Sequence, residues 1–116
     1  MAGLPIENYC FGRVIINHHT YYRDVIIFPH QISSPWWRAQ GHLLQLEDLT
    51  TILREKPDTI VIGQGAYSQM VIEKKVQWAL AETGIQLIAT TTEIACQTYN
   101  DLFPQTKVIA ALHLTC

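Results

Sequence analysis

A chain of 116 residues and 13.2 kDa has the length of one domain, so a single domain spanning residues 1–116 is expected. Hydrophobic residues make up 48% of the chain and charged residues 16%, which is typical of a compact soluble domain and excludes a disordered one. The chain has eight Lys and Arg residues and ten Asp and Glu residues, which gives a net charge of −2. This balance does not favour a nucleic-acid partner.

The cysteines and the N-terminal residues indicate the compartment. Cys10, Cys96 and Cys116 are odd in number and include no close pair, which favours a reducing environment over a disulfide framework. The first basic residue is Arg13, so we expect no secretory signal, which would begin with a basic region. No apolar run approaches the roughly 18 residues of a membrane span. We therefore expect a cytoplasmic protein without a membrane partner.

The first part of the chain predicts a hairpin and an edge strand. Residues 13–17 and 24–28 are rich in β-branched side chains and predict two strands, joined as a hairpin by the polar residues 17–20. Pro29 ends the second strand, and residues 32–37 predict a short irregular or edge strand.

The rest of the chain alternates helices with strands. The predicted elements are a helix that ends before Pro57, a strand at 59–62, a helix that ends at Gly84, a strand at 85–89, a helix that ends before Pro104 and a last strand at 108–114. This alternation predicts βαβ units and a largely parallel sheet, to which the hairpin adds antiparallel pairing. The fold class is therefore α/β with a mixed sheet.

Gly63 and Gly65 lie where a strand is predicted to pass into a helix. Open α/β sheets bind ligands outside the carboxyl ends of their strands, and free backbone N–H groups there can hold an anion. Position 68 is Ser, so the dinucleotide fingerprint is incomplete, and no P-loop sequence occurs. A tight turn is the favoured interpretation, with a nucleotide phosphate site as the alternative.

A tryptophan pair precedes Arg38, and His42 follows it. Arg38 can stack on an indole ring, and an imidazole can exchange protons or bind a ligand. Since two exposed tryptophans are unfavourable, we expect at least one of Trp36 and Trp37 to pack on the core. The segment is interpreted as a loop that covers a sheet edge, with a binding surface as the alternative.

Asp24 begins a predicted strand and shares a face with Ile26 by two-residue alternation. A carboxylate on an apolar face needs a partner, which Arg38 or His42 would supply. A buried Asp24 would be a candidate acid, base or anchoring group. An Asp exposed at the end of the strand is an equal alternative.

His113 and Cys116 have the spacing of a metal or thiol–imidazole pair. On a strand, however, residues three apart point to opposite faces, so sharing an ion would need a bend after Leu114. No Cys-x-x-Cys pair, helical His-x-x-x-His or Gly-x-Ser-x-Gly motif occurs. We therefore predict no metal and no cofactor, and nothing in the sequence requires an enzyme.

Several short segments, taken in order, resemble one family. They are Phe11-Gly12 with Ile15, residues 24–27, Trp37-Arg38 with Gly41-His42, Asp48-Leu49, residues 61–65, Gly84-Ile85, residues 92–102 with Thr92, Ala95, Tyr99 and Asn100, and the ending 113–116. Their order and spacing resemble the Mth-type domain family, a family of unknown function that includes a mitochondrial complex I assembly factor. The resemblance extends from about residue 9 to residue 116.

This resemblance implies a three-layer α/β fold. It has a mixed central sheet of about five strands, an additional β hairpin layer, and a last strand antiparallel to its neighbours. The resemblance carries no catalytic residue or substrate. The matched positions expected to line any shared site are Asp24, Trp37, Arg38, His42, Gly63, Gly65 and Thr92.

Two functions are compatible with these observations. The leading hypothesis is a small binding or assembly module, without catalysis, for an unknown protein partner or a small anionic ligand. The alternative is a small enzyme or nucleotide-like ligand binder that uses Asp24, Arg38 and His42 beside the Gly63–Gly65 loop. A pocket with these three side chains within hydrogen-bond reach of one another would favour the alternative. Pairing of an open hairpin edge with a second copy stays open.

Overall fold

Ten strands and three α-helices are found in the computed structural model, which describes residues 4–116. The strands are β1 (Ile6–Cys10), β2 (Arg13–Ile16), β3 (His19–Tyr21), β4 (Val25–Ile27), β5 (Ile32–Ser33), β6 (Leu43–Leu44), β7 (Thr59–Gly63), β8 (Val71–Ile72), β9 (Gln86–Thr90) and β10 (Val108–Leu112). The helices are α1 (Thr50–Arg54), α2 (Lys74–Glu82) and α3 (Thr92–Leu102), and a 3-10 turn at Leu46–Leu49 leads into α1.

A five-stranded mixed sheet forms the middle layer, in the order β5-β4-β10-β7-β9. β7 is parallel to both β9 and β10, whereas β4 is antiparallel to β10. All residues of β7 and β10 are buried, because both faces of the sheet are covered. The last strand is therefore antiparallel to β4, as expected, but parallel to its other neighbour.

Two outer layers cover this sheet and give the fold its three layers. Ile60 and Ile62 of β7 face a core formed with α1, α2 and the two-stranded sheet of β6 and β8. Val61, which points the other way, packs in a second core with α3 and the three-stranded sheet β1-β2-β3. The predicted three-layer α/β class with an additional hairpin layer is confirmed.

The predicted pairing of the first hairpin is wrong. Asn17 and His18 both have positive φ, 49° and 70°, and make a two-residue turn that joins β2 to β3. Such turns match the twist of antiparallel strands, so β2 finds its partner at once. β4 instead joins the central sheet, between β5 and β10.

The predicted direct passage from β7 into a helix is also wrong. The Gly63–Gly65 loop leads to β8, and α2 begins only at Lys74. Other element ends follow the prediction, because Gly84 has a φ of +77° just beyond the C-cap of α2 and α3 ends before Pro104.

Across residues 4–116, none of the helices is both long and apolar enough to cross a bilayer.

Candidate functional site

Asp24 lies at the centre of a polar network beyond the end of β10. Its Oδ1 accepts a hydrogen bond from the backbone N–H of Leu114 at 2.8 Å. Its Oδ2 lies 2.9 Å from Arg38 Nη2 and 2.8 Å from His113 Nδ1. The predicted contact between Asp24 and Arg38 is present, and His113 is its third member.

Arg38 is held inside the protein. Its side chain is only 4% exposed, its Nη2 also donates to Gly41 O at 3.1 Å, and its guanidinium lies 4.4 Å from the centre of the Trp36 ring. Trp36 is buried, which confirms that one tryptophan of the pair packs on the core. Trp37 is 75% exposed and lies outside the network.

The network assigns the tautomer of His113. Arg38 Nη2 and His113 Nδ1 both contact Oδ2 of Asp24, so their own 3.1 Å separation follows from the shared acceptor. A guanidinium can only donate, and Nδ1 meets its carboxylate by donating a proton as well. In the neutral ring, Nε2 then carries the free lone pair.

The same contacts set the ionisation of Asp24. Burial has the largest effect and by itself would raise the pKa of Asp24. The hydrogen bonds from His113, from the Leu114 backbone and from Arg38 together outweigh burial and hold the pKa below its usual 3.8. Asp24 is therefore the anionic anchor of the network.

Acid should weaken the fold partly through Asp24. Because its folded pKa lies below the unfolded value of about 3.9, its stabilising contribution is complete above that value and disappears as pH falls through the folded pKa. Urea unfolding between pH 6 and pH 2.5 should show a steep loss of stability for the wild type below about pH 4. Asp24→Asn should start less stable and lose less over that range.

The charge-matched control for this prediction is Glu82→Gln, at the exposed end of α2. It should keep the steep acid slope of the wild type. Equal slopes for Asp24→Asn and the wild type would show that the Asp24 carboxylate does not stabilise the fold.

Hydrogen bonds hold the residues after β10 in place along their whole length. His113 N–H donates to Gly63 O at 3.0 Å, and Leu114 O accepts from Tyr9 Oη and from the Gly12 N–H, both at 2.9 Å. Burial raises the pKa of Tyr9 to about 12, so this phenol stays a proton donor. We call residues 113–116 the anchored segment.

The anchored segment packs against Gly63, Gly65 and Thr92. The buried Thr92 hydroxyl donates to His113 O at 2.6 Å and accepts from the Gly65 N–H at 2.9 Å. A Cβ on Gly63 would lie 2.8 Å from that hydroxyl oxygen. A Cβ on Gly65, whose φ is +108°, would lie 2.5 Å from Thr115 O. Close packing therefore accounts for both glycines.

The loop offers few donors to a phosphate. The backbone N–H groups of residues 64–66, 68 and 69 each donate to an oxygen of the protein, at 2.8 to 3.2 Å. The helix that begins here is α3, and its Thr92 N–H donates to Gly65 O at 3.1 Å. An anion would have to displace these bonds, so the tight-turn interpretation accounts better for the loop.

His42 lies beside the network. Its backbone is fixed because His42 O accepts from Val71 N at 2.8 Å, while its side chain is exposed. Its ring centre lies 5.9 Å from that of His113. Ligand atoms of His42, His113 and Cys116 all lie within 4.8 Å of one another.

Six of the seven predicted site residues therefore lie in or beside the region of the Asp24 network and the anchored segment. The seventh, Trp37, is next to Arg38 in the sequence. His113, which contacts Asp24 and lies beside His42, is a member that the predicted site lacked. The signal was present in the His113-x-x-Cys116 spacing, but the predicted strand was two residues too long. Because β10 ends at Leu112, His113 and Cys116 lie beyond the strand, and the alternation of strand faces does not separate them.

One open cavity lies away from these residues. A cavity of about 600 Å³ is lined by Phe28, Phe103 and Lys107 among others. Lys107 precedes β10, whereas the anchored segment follows it, so this cavity is at the other end of the central sheet.

The fold and the site together define a class of protein: a three-layer α/β domain with a largely buried polar network. The chain belongs to the family described as protein of unknown function (DUF498/DUF598), which it matches over residues 6–113. No curated protein matches the chain.

Solved structures show the same fold. A conserved hypothetical protein from Pyrococcus horikoshii is 24% identical, with 96% of this chain and 98% of that one covered and a TM-score of 0.83. An outer membrane protein from Bartonella henselae is 22% identical, with 98% and 97% covered and a TM-score of 0.82. A Mth938-like domain from Bordetella pertussis is 18% identical, with 96% and 85% covered and a TM-score of 0.67. The expected Mth-type family is confirmed.

Proposed function

We propose that this protein is a non-catalytic binding module that docks a partner protein on the surface around the anchored segment. The observation that carries the proposal is the exposed aromatic pair Phe11 and Tyr67. Their ring centres lie 6.2 Å apart, and they are 57% and 71% exposed. Phe and Tyr are both enriched at protein interfaces, and Tyr is among the residues that most often carry a large share of the binding energy.

The backbone beneath this pair is already fixed. Gly12, next to Phe11, donates its N–H to Leu114 O, and Ala66, next to Tyr67, donates its N–H to Thr115 O. A surface held in place before binding loses little conformational freedom when a partner arrives, and this favours affinity. Tyr22 and Trp37, which are close in sequence to Asp24 and Arg38, are exposed as well.

The enzyme alternative is less well supported. Both oxygens of Asp24 and the Nη2 of Arg38 are used within the protein. The His42 ring lies 5.9 Å from the His113 ring, and His42 is not among the hydrogen-bond partners of Asp24 and Arg38 in the described residues. These contacts leave neither oxygen of the Asp24 carboxylate without a partner, so they favour a structural role for Asp24 over that of an acid or base.

The cytoplasm is the location that this proposal assigns to the module. Its cysteines are free, and Cys10 is exposed, which is typical of a reducing compartment.

The test is quantitative affinity capture from a lysate of the source organism. Phe11→Ala combined with Tyr67→Ala should lower recovery of a specific partner at least about tenfold, because truncating a hot-spot residue to alanine costs about 2 kcal/mol or more of binding free energy. The purified partner should then bind the wild type directly, with the same loss in the double variant.

The matched control is Trp78→Ala, which removes a 67% exposed tryptophan from α2. It should recover the partner as the wild type does. Equal recovery with all three proteins would contradict the proposal. If self-association of this protein were the only interaction lost in the double variant, the surface would be a homodimer interface instead.

A further inference from the structure

Three metal-ligating side chains converge on the rim of the anchored segment. The imidazoles of His42 and His113 and the thiol of Cys116 each place a ligand atom within 4.8 Å of the other two. They come from two separate parts of the chain, the residue before β6 and the anchored segment. Two imidazole nitrogens and one thiolate are a donor set that zinc prefers.

The second observation is the unused nitrogen of His113. The His113 side chain is 9% exposed, and its Nε2 has no hydrogen-bond partner among residues 4–116. A buried nitrogen without a partner is unfavourable. Because Nδ1 donates to Asp24, Nε2 holds the lone pair that a metal ion needs.

Asp24 completes the arrangement expected around such a ligand. Histidines that bind metal commonly donate their other ring N–H to a carboxylate, which fixes the ring and strengthens the ligand. The 2.8 Å contact from His113 Nδ1 to Asp24 Oδ2 is this contact. Arg38, 2.9 Å from the same oxygen, keeps the carboxylate in place.

From these contacts we propose that His42, His113 Nε2 and Cys116 Sγ form a binding site for one Zn²⁺ ion. Tetrahedral zinc with bonds of about 2.0 to 2.3 Å needs ligand atoms about 3.3 to 3.8 Å apart. The observed separations are at most 4.8 Å, so a closure of no more than about 1.5 Å meets this requirement, and the exposed His42 side chain can make it. Binding releases the thiol proton of Cys116 to solvent, and water fills the fourth position.

The site does not depend on the proposed docking function, and its test needs no partner. The probe is Co²⁺, a spectroscopic substitute for zinc, added to the whole protein after metal removal. The wild type should bind one equivalent and show the near-ultraviolet charge-transfer band of a cobalt–thiolate bond. Excess Zn²⁺ should abolish the band.

The variants separate this site from other thiols and histidines. Cys116→Ser should lose the band, and His42→Ala should bind Co²⁺ at least about tenfold more weakly. The controls are Cys10→Ser and His30→Ala, since Cys10 is an exposed thiol and His30 an exposed imidazole that lines the cavity at the other end. Both controls should bind Co²⁺ as the wild type does.

Several results would overturn the site. They are the absence of a cobalt–thiolate band in the wild type, a band that survives Cys116→Ser, or a band that Cys10→Ser removes. Unchanged affinity in His42→Ala would exclude His42 as a ligand and with it the three-ligand site. Thermal melts of each variant without metal establish that it is folded before titration. His42 is exposed, so His42→Ala should fold as the wild type does.

Discussion

Arg38→Ala should destabilise the protein by about 3 to 5 kcal/mol, the cost of breaking a buried ion pair by removing one partner. Asp24 would lose the 2.9 Å contact of a guanidinium that is almost fully buried. The variant would also lose the bond to Gly41 O and the packing over Trp36. The measurement is the free energy of unfolding from urea denaturation at neutral pH.

Arg13→Ala is the matched control for this substitution. Arg13 also donates to a side chain, with its Nη2 3.0 Å from Asn8 Oδ1, but that bond is exposed. Removing it should cost less than about 1 kcal/mol. The double variant Asp24→Asn/Arg38→Ala should lose less free energy of unfolding than the sum of the losses in the two single variants. A loss below about 1 kcal/mol for Arg38→Ala would show that Arg38 is not an internal brace and would reopen a role in ligand binding.

Gly65→Ala should cost about 3 kcal/mol, for two separate reasons. The φ of +108° is strained for any residue with a Cβ. The new Cβ would lie 2.4 Å from the carbonyl carbon of Cys116 and 2.5 Å from Thr115 O, and both obstacles are backbone atoms. The anchored segment must therefore move away from the loop. Thermal and urea unfolding measure this loss.

Gly84→Ala separates backbone strain from collision. Gly84 has a φ of +77°, but a Cβ there would meet nothing within 4 Å. Strain alone should cost about 1 kcal/mol. If Gly65→Ala and Gly84→Ala were equally destabilising, contact with the anchored segment would contribute nothing at Gly65.

Most of the fold was predictable because its elements have local signals. The apolar run at 59–62 predicted β7, and Gly84 and Pro104 predicted the ends of α2 and α3. The hairpin was not predictable in this way. Its turn uses Asn17 and His18 at positive φ, and His is an unusual residue at such a position. The sequence therefore suggested a longer loop and the wrong partner for β2.

The site was predictable in its membership more than in its arrangement. Chemistry alone suggested that Asp24 needs a partner and that Arg38 is available, and the two are in contact. The glycines suggested a phosphate loop as one alternative, but their small size serves the packing of residues 112–116. This packing depends on contacts between residues far apart in the chain, which local patterns do not reveal. A last strand predicted at 108–114 hides the role of His113, because β10 ends at Leu112 and His113 lies beyond it.

Amide hydrogen exchange at Leu114 tests most directly whether the Asp24 network fixes the anchored segment. This N–H donates to Asp24 Oδ1 at 2.8 Å, away from the strand ladders. We predict slow exchange in the wild type and in Gly84→Ala, and much faster exchange in Gly65→Ala and Arg38→Ala. Fast exchange at Leu114 in the wild type would contradict an anchored segment, and with it the fixed surface on which the docking proposal rests.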